Sequence, residues 1–268
     1  MAAIATQQTS SSPLSGFANI IRSESCKLHS VRSTFWTLVA ALVFNVALAA
    51  LGAILIPGAL SAQEKANVDV IRLSLAGIHL SQIAFGVLGV LVITSEYGTG
   101  MIRATLSAVP QRRLVLAAKA IVFAVTALVV GILSSFAAYF VFQAFLSDNS
   151  LRSSIGDPGV VRAVTGGGLY LTVLGLLGLG LGAIIRVSTG AIAALFGLLF
   201  VPPILLQLLP QSWQTTIGPY TPMEAGSQIF IVHPHAESLP ASTGLGLFCL
   251  YAAIALTVGL VLINHRDA

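Results

Sequence analysis

Long apolar runs alternate with short polar segments along most of this chain. The runs cover residues 34–56, 75–93, 120–146, 164–185, 190–209 and 243–263. Each run is long enough to cross a hydrocarbon core of about 30 Å as an α-helix. A spanning segment must satisfy its own backbone hydrogen bonds, which a helix does. The pattern therefore predicts an all-α, polytopic membrane protein with six transmembrane helices.

Composition supports the same class of protein. Hydrophobic residues make up 56% of the sequence and charged residues only 8%, and the mean hydropathy is +0.93. Such values are typical of membrane proteins. The basic pI of about 9.4 does not indicate nucleic-acid binding, because the basic residues flank apolar runs rather than forming a stripe with aromatic residues.

The positions of lysine and arginine predict the orientation of the chain. With both ends of the chain on one side, nine of these residues fall on that side of the six runs and four on the other. Because basic residues accumulate in cytoplasmic loops, we expect a multi-pass protein of the cell membrane with cytoplasmic N- and C-termini. No short apolar core with a cleavage site precedes the first run, so no cleavable signal peptide is expected.

The N-terminal region divides into two parts ahead of the transmembrane domain at 34–268. Residues 1–12 are polar, rich in Ser, Thr and Gln, and expected to be disordered. Ser12 as a cap and Pro13 as the first helical residue then begin an amphipathic helix over 13–33. Its apolar stripe contains Leu14, Phe17, Ile21 and Leu28. Such a helix anchors to a membrane surface or contacts a partner, and the two roles are compatible.

The loop between the second and third runs, residues 94–119, is predicted to contain a helix of its own. Ser95 and Thr99 are candidate caps, and Pro110 disfavours helical geometry at the preceding residue. Apolar residues recur between them, at Ile102, Leu106 and Val109. The apolar face of such a helix must be shielded from water, either by the headgroup region of the bilayer or by a partner protein.

The same loop resembles a known family in its motif. Residues 96–110 read EYGTGMIRATLSAVP and are followed by Arg112. This run resembles the loop after the second membrane helix in permeases of the type-2 ATP-binding-cassette exporter family, except that Met101 stands where Thr or Ser is usual. The resemblance implies that this segment is the coupling helix that docks onto an ATPase subunit. The implied coupling residues are Glu96, Thr99, Gly100, Ile102, Arg103, Leu106, Pro110 and Arg112.

The resemblance also implies partners. The chain contains no P-loop motif, so ATP and Mg would be bound by a separate ATPase subunit, and no cofactor is expected on this chain. A second permease would complete the pathway, as a homodimer or a heterodimer. Apolar and hydroxyl side chains dominate the spans, which suggests an amphiphilic or lipid-like substrate. The alternative is a non-transporting membrane anchor, sensor or assembly subunit.

Residues 210–240 differ from an ordinary external loop. They contain five prolines and no lysine or arginine, and they retain many apolar and aromatic residues. We expect two short helices that dip into the outer leaflet, with Trp213 and Tyr220 near the headgroups. Type-2 permeases carry a similar re-entrant element. His233 and His235 lack a third ligand nearby and do not predict a metal site.

Polar groups inside the predicted spans are few. Gly178 and Gly182 in the fourth run have the G-x-x-x-G spacing that brings helix backbones together, within the chain or at a subunit interface. We expect His79 to pair with Gln82, and Ser134 and Ser135 to bond their own helix backbone. Glu96, at the end of the second run, needs a partner, for which Arg103 and Arg112 are the candidates.

Two function classes are excluded by what the sequence lacks. Ion-coupled transporters need charged residues inside the membrane, and none lies within the six predicted runs. Membrane enzymes need a catalytic motif, and neither G-x-S-x-G with a partnering histidine nor H-E-x-x-H occurs. Cys26 and Cys249 lie in different environments and predict no disulfide. The chain is therefore not expected to be an enzyme.

Overall fold

The computed structural model describes residues 13–59, 61, 63, 69–109, 111–232 and 238–265. Helices make up this part of the chain, with no strand among the described residues. The predicted tail at 1–12, the Ser12 cap, Pro110 and the His233–His235 pair lie outside it, as does the side chain of Leu14. The prediction of an all-α fold is confirmed.

Six helices are long and apolar enough to cross a membrane, as the sequence predicts. They are α2 (Arg32–Ala59), α4 (Ile78–Gly98), α6 (Arg112–Phe145), α7 (Val160–Ile185), α8 (Ser188–Gln207) and α11 (Ala241–His265). The shorter helices between and before them are α1 (Pro13–Ser30), α3 (Val70–Ser74), α5 (Met101–Ala108), α9 (Gln211–Ile217) and α10 (Pro222–Ser227).

Two predicted boundaries are wrong in ways that matter for packing. The first apolar run ends at residue 56, yet α2 continues through Pro57 to Ala59. A proline in the last turn removes only one backbone hydrogen bond, so the helix ends shortly after it. The third span was expected to begin at residue 120, yet α6 begins at Arg112 and therefore includes Lys119.

Helix α7 occupies the centre of the bundle and packs against α4, α6 and α11. Its glycines permit this closeness. A methyl group on Gly178 would lie 2.6 Å from the carbonyl oxygen of Gly86, and one on Gly182 would lie 3.0 Å from that of Val90. Both glycines therefore pack against α4 of the same chain, which gives the G-x-x-x-G spacing a contact within the subunit.

The segment from 210 to 232 contains two short helices, α9 and α10, and two single 3-10 turns. Its second half is buried in the core at Ile229, Phe230 and Ile231. Hydrogen bonds hold it to neighbouring elements: Arg162 donates to the carbonyl oxygen of Ile231 at 3.0 Å, and the Val232 amide donates to Asp69 at 3.0 Å. Its depth in a bilayer stays a prediction.

Candidate functional site

The candidate site lies where α1, the end of α4, the short helix α5 and the beginning of α6 meet. Helix α4 ends at Gly98, and α5 begins at Met101. Gly100 makes the turn between them with φ of +72°, a left-handed conformation that glycine adopts without the steric cost other residues meet. The turn places α5 beside the end of α1, where Lys27 Nζ lies 3.3 Å from the Thr105 hydroxyl oxygen. We call this end of the bundle the basic end, since Lys27, Arg112, Lys119 and Arg186 lie there.

The predicted caps of α5 are wrong. The Thr99 hydroxyl donates to the carbonyl oxygen of Ser95 at 2.9 Å, and the Ser95 hydroxyl donates to that of Leu91 at 2.6 Å. Both side chains therefore satisfy carbonyl oxygens at the end of α4 rather than amides at the start of α5. Helix α5 begins without a side-chain cap.

Four charged side chains form a buried cluster, here called the charge quartet: Glu24 and Lys27 from α1, Glu96 from α4 and Lys119 from α6. Lys119 Nζ lies 2.6 Å from Glu24 Oε2 and 2.7 Å from Glu96 Oε1. Lys27 Nζ lies 2.7 Å from Glu24 Oε1 and 3.1 Å from Glu96 Oε1. Each lysine therefore bridges both carboxylates, and the formal charges of the four groups cancel.

The quartet also holds α5. Lys27 Nζ donates to the hydroxyl oxygen of Thr105 at 3.3 Å, and that hydroxyl lies 3.5 Å from Glu96 Oε2. Thr105 is the residue through which α5 joins the network. Helices from four separate parts of the sequence are thus tied together at one point.

Burial makes these contacts strong and their loss costly. No more than 5% of the side chain is exposed in Glu24, Glu96 and Lys119, whereas 33% is exposed in Lys27. Breaking one side of a buried ion pair leaves an uncompensated charge in a poorly solvated site. Burial by itself lowers the pKa of Lys27, but the hydrogen bond to Glu24 and the charges of Glu24 and Glu96 outweigh it, so the pKa is raised.

The predicted partners of Glu96 are therefore wrong, since Lys27 and Lys119 pair with it. Arg103 lies on the exposed side of α5. Arg112 donates to the carbonyl oxygen of Ile263 at 3.2 Å, at the end of α11. A cation near a helix C-terminus compensates the unpaired carbonyl groups there.

Arg186, like Arg112, lies at the basic end and contacts the end of α11. Its guanidinium carbon lies 5.0 Å from the ring centroid of Tyr97, and it donates to the carbonyl oxygen of Leu262 at 3.4 Å. Its φ of 63° is left-handed, which turns the chain sharply between α7 and α8. The arginine thus connects the end of α4 with the end of α11.

Helix α5 covers part of its apolar face within the chain. Only 2% of Ile102 is exposed, so this side chain is buried against other residues of the same chain. Leu106 is half-buried. The exposed positions are Met101, Arg103, Ala104 and Ser107.

Glu24 is the functional candidate that the sequence patterns missed. It is buried on α1 among the half-buried stripe residues Phe17, Ile21 and Leu28. The spacing of 17, 21, 24 and 28 follows one helix face, so an acid at this register could have been noticed. Lys27 does not belong to the predicted apolar stripe, yet its ammonium group reaches the same cluster.

Polar groups deeper in the bundle pair between helices. Asn45 on α2 donates to the Ser134 hydroxyl on α6 at 2.9 Å. The prediction that Ser135 bonds its own helix backbone is wrong, because its buried hydroxyl has no hydrogen-bond partner among the described residues. Gln82 accepts a hydrogen bond of 2.6 Å from Tyr170 rather than pairing with His79. Such bonds between helices contribute to association in lipid.

A cavity of about 230 Å³ adjoins the charge quartet. All four members of the quartet line it, together with apolar residues of α1, α4 and α6. A larger groove of about 740 Å³, lined mostly by apolar residues, lies between α2 and α4 and shares Ser33 and Thr37 with the cavity. The basic end therefore combines a buried charge network with an apolar recess.

No protein-family model matches the sequence, and no curated protein matches it either.

Proposed function

We propose that this chain is the membrane-spanning permease subunit of an ATP-binding-cassette exporter. One observation supports the proposal most directly: the charge quartet ties α5, the segment that resembles a coupling helix, to the ends of three longer helices. Glu96 and Lys119 belong to candidate spans, and Glu24 and Lys27 belong to α1. A force that displaces α5 would therefore also displace the ends of α1, α4 and α6.

The quartet suits the transmission of force because its members separate only at high cost. Removing one partner of a buried ion pair typically costs about 3–5 kcal/mol. A push on α5 therefore shifts the ends of α1, α4 and α6 together instead of pulling them apart.

In this proposal a partner subunit, and not this chain, hydrolyses ATP. The ATPase subunit binds ATP and Mg, and its closure pushes on α5 from the cytoplasmic side. A second permease, identical or related, supplies the other wall of the pathway. The apolar and hydroxyl side chains of the spans suit an amphiphilic or lipid-like substrate.

The docking surface is then the exposed side of α5. Met101, Arg103, Ala104 and Ser107 are available to a partner, and Leu106 is partly available. Ile102 has a different role, since its buried side chain fixes α5 against the bundle. Arg103 supplies the charge that an acidic cleft would recognise.

The test is co-purification of the tagged chain from its native membrane in mild detergent. We expect a P-loop ATPase in equal amount, lost when Arg103 and Ala104 are both changed to Glu. These two residues are exposed, so the fold should survive. Arg152→Glu is the matched control, because Arg152 is also exposed but lies in the loop between α6 and α7, at the opposite end.

The proposal fails if the intact chain is purified without an ATPase. It also fails if an ATPase remains bound after the Arg103 and Ala104 substitutions. The first result would favour an anchor, sensor or assembly subunit.

A further inference from the structure

A polar cavity lies at the end of the bundle opposite the charge quartet. Helix α8 begins at Ser188, close to Arg186 at the basic end, and runs to Gln207, a rise of about 30 Å. The residues after it line a cavity of about 380 Å³, here called the amide pocket. This volume lies in the range of small-molecule sites, about 300–1,000 Å³. The polar side chains among its lining residues are Gln211, Gln214, Thr215, Glu224, Gln228 and Ser238.

Gln228 places an unpaired acceptor beside this pocket. Only 5% of the residue is exposed, and its Nε2 donates to the backbone carbonyl oxygen of Glu224 at 3.3 Å. That bond identifies the donor end of the amide, so the other end is the oxygen, Oε1. Oε1 has no hydrogen-bond partner among the described residues. A buried acceptor without a donor is uncommon in native proteins and points to a group that the chain itself does not supply.

Other polar side chains of the pocket already donate within the chain. Gln214 Nε2 donates to the carbonyl oxygen of Leu209 at 2.9 Å, and the Thr215 hydroxyl donates to that of Ser212 at 3.2 Å. The side-chain oxygens of Gln214 and Thr215 remain available as acceptors.

Glu224 gives the pocket a negative charge. Its side chain is exposed, and no ion pair joins it to any residue in the described part of the chain. Residues 210–240 contain no lysine or arginine. Of the residues that line the pocket, Glu224 is the only charged one. A ligand that supplies a positive charge and hydrogen-bond donors complements this lining.

We propose that the amide pocket binds a small soluble molecule with a primary ammonium group, which contacts the Glu224 carboxylate and Gln228 Oε1. An ammonium group has one positive charge and three hydrogen-bond donors, so a single group can satisfy both acceptors. The two residues are adjacent, as the bond from Gln228 to the Glu224 carbonyl oxygen shows. Hydrogen bonds with an ionised partner are the stronger ones, so Glu224 supplies most of the selectivity.

Other ligand classes fit the pocket less well. Calcium takes about six to eight oxygen ligands, usually with several carboxylates, whereas this lining has one. No group of three metal-ligating side chains occurs among the described residues. The headgroup of phosphatidylethanolamine also carries a primary ammonium, but its phosphate would meet Glu224 without a basic residue nearby. A soluble amine supplies the positive charge without that phosphate.

Saturation-transfer NMR on the full chain in dodecyl maltoside measures the binding. The probe is aminoethoxyethanol, and its matched neutral analogue is diethylene glycol, which has a hydroxyl group in place of the amine. We expect the dissociation constant of the amine to be lower by about ten-fold or more, the ratio that one charge-assisted hydrogen bond supplies. Equal affinity for the two compounds would overturn the proposal.

Substitutions test the two contacts separately. Glu224→Gln should abolish the preference for the amine. Asp157→Asn is the matched control, because Asp157 is an exposed acid in the loop between α6 and α7 that does not line the pocket. Gln228→Met should weaken binding of the amine without changing any charge.

Two results from these variants would contradict the site. One is a preference for the amine that survives Glu224→Gln, and the other is an amine affinity that a folded Gln228→Met variant leaves unchanged. Gln228 is buried, so the result for Glu224→Gln, at an exposed position, decides if Gln228→Met does not fold.

Competition distinguishes the sources of the positive charge. Phosphatidylethanolamine added to the micelles should displace the amine no more than phosphatidylcholine does, and calcium chloride no more than sodium chloride at the same ionic strength. Stronger displacement by phosphatidylethanolamine would assign the pocket to a lipid headgroup, and stronger displacement by calcium would assign it to a metal ion. Either result would overturn the proposal of a soluble amine. None of these measurements involves an ATPase, so they are independent of the proposed function.

Discussion

Lys119 on α6 and Glu96 at the end of α4 form an ion pair of 2.7 Å in which neither side chain is more than 4% exposed. The pair joins two helices that the sequence connects only through the loop containing α5. It is the centre of the charge quartet, because each member also contacts α1, Lys119 through Glu24 and Glu96 through Lys27.

Lys119→Met should destabilise the protein strongly. It leaves Glu24 and Glu96 buried with only Lys27 as a partner, at a cost of about 3–5 kcal/mol. Thermal unfolding in detergent, followed by circular dichroism, should show a clear fall in Tm. Arg113→Met is the control, since Arg113 lies on the same helix but is exposed. Adding Glu96→Gln to Lys119→Met should cost less than the sum of the two single changes; additive costs would contradict the pairing.

Glu24→Gln should release α1 from the bundle. The neutral amide loses the charge that holds Lys119 at 2.6 Å and Lys27 at 2.7 Å, whereas the core around α7 is unaffected. Hydrogen exchange should therefore quicken in the amides of residues 13–30 and stay slow in α7. Arg22→Gln, an exposed change on the same helix, should leave both unchanged. Unaltered exchange in α1 after Glu24→Gln would show that the quartet does not hold this helix.

Gly100→Ala should misplace α5. The φ of +72° at Gly100 costs a residue with a side chain about 1–2 kcal/mol. Under the proposed function, we expect the ATPase to co-purify less with this variant although Tm shows that the bundle is still folded. Gly98→Ala provides the comparison, because Gly98 has no positive φ and open space around it. Equal ATPase recovery from both variants would argue against a role for the turn.

Gly89→Ala should disrupt the packing of α4 on α7. A methyl group there would overlap the carbonyl oxygen of Gly175, and a backbone group cannot move aside as a flexible side chain can. Overpacking of this kind costs about 1–3 kcal/mol or more. Gly246→Ala on α11 meets open space and should be neutral or stabilising by about 0.5–1 kcal/mol. The measurement is the difference in Tm between Gly89→Ala and Gly246→Ala. Similar Tm values for the two variants would contradict the close packing of α4 on α7.

Alkaline pH should weaken the contribution of Lys27. Because its pKa is raised in the folded protein, the stabilisation is fully present below the ordinary lysine pKa of about 10.4 and is lost as pH rises through the higher folded value. The Tm difference between the unchanged protein and Lys27→Met should stay constant from about pH 7 to about pH 10 and shrink above that. A difference that shrinks between about pH 7 and pH 9 would contradict the raised pKa.

The sequence by itself determined the number and order of the helices that are long and apolar enough to cross a membrane. Six apolar runs and six candidate membrane helices agree, because lipid leaves a spanning segment few alternatives to the helix. The spacing of Ile102, Leu106 and Val109 ahead of Pro110 also indicated a separate helix in the loop between the second and third runs, where α5 lies. These are local properties, which neighbouring residues encode.

Only the tertiary structure decided which charged groups meet. Glu96 has its partners 69 residues before it, at Lys27, and 23 residues after it, at Lys119, whereas the nearer Arg103 points to solvent. Glu24 and Lys119 are 95 residues apart. The energy of a buried charge depends on the groups that surround it in space. No spacing along the chain shows those groups until α1, α4, α5 and α6 are packed together.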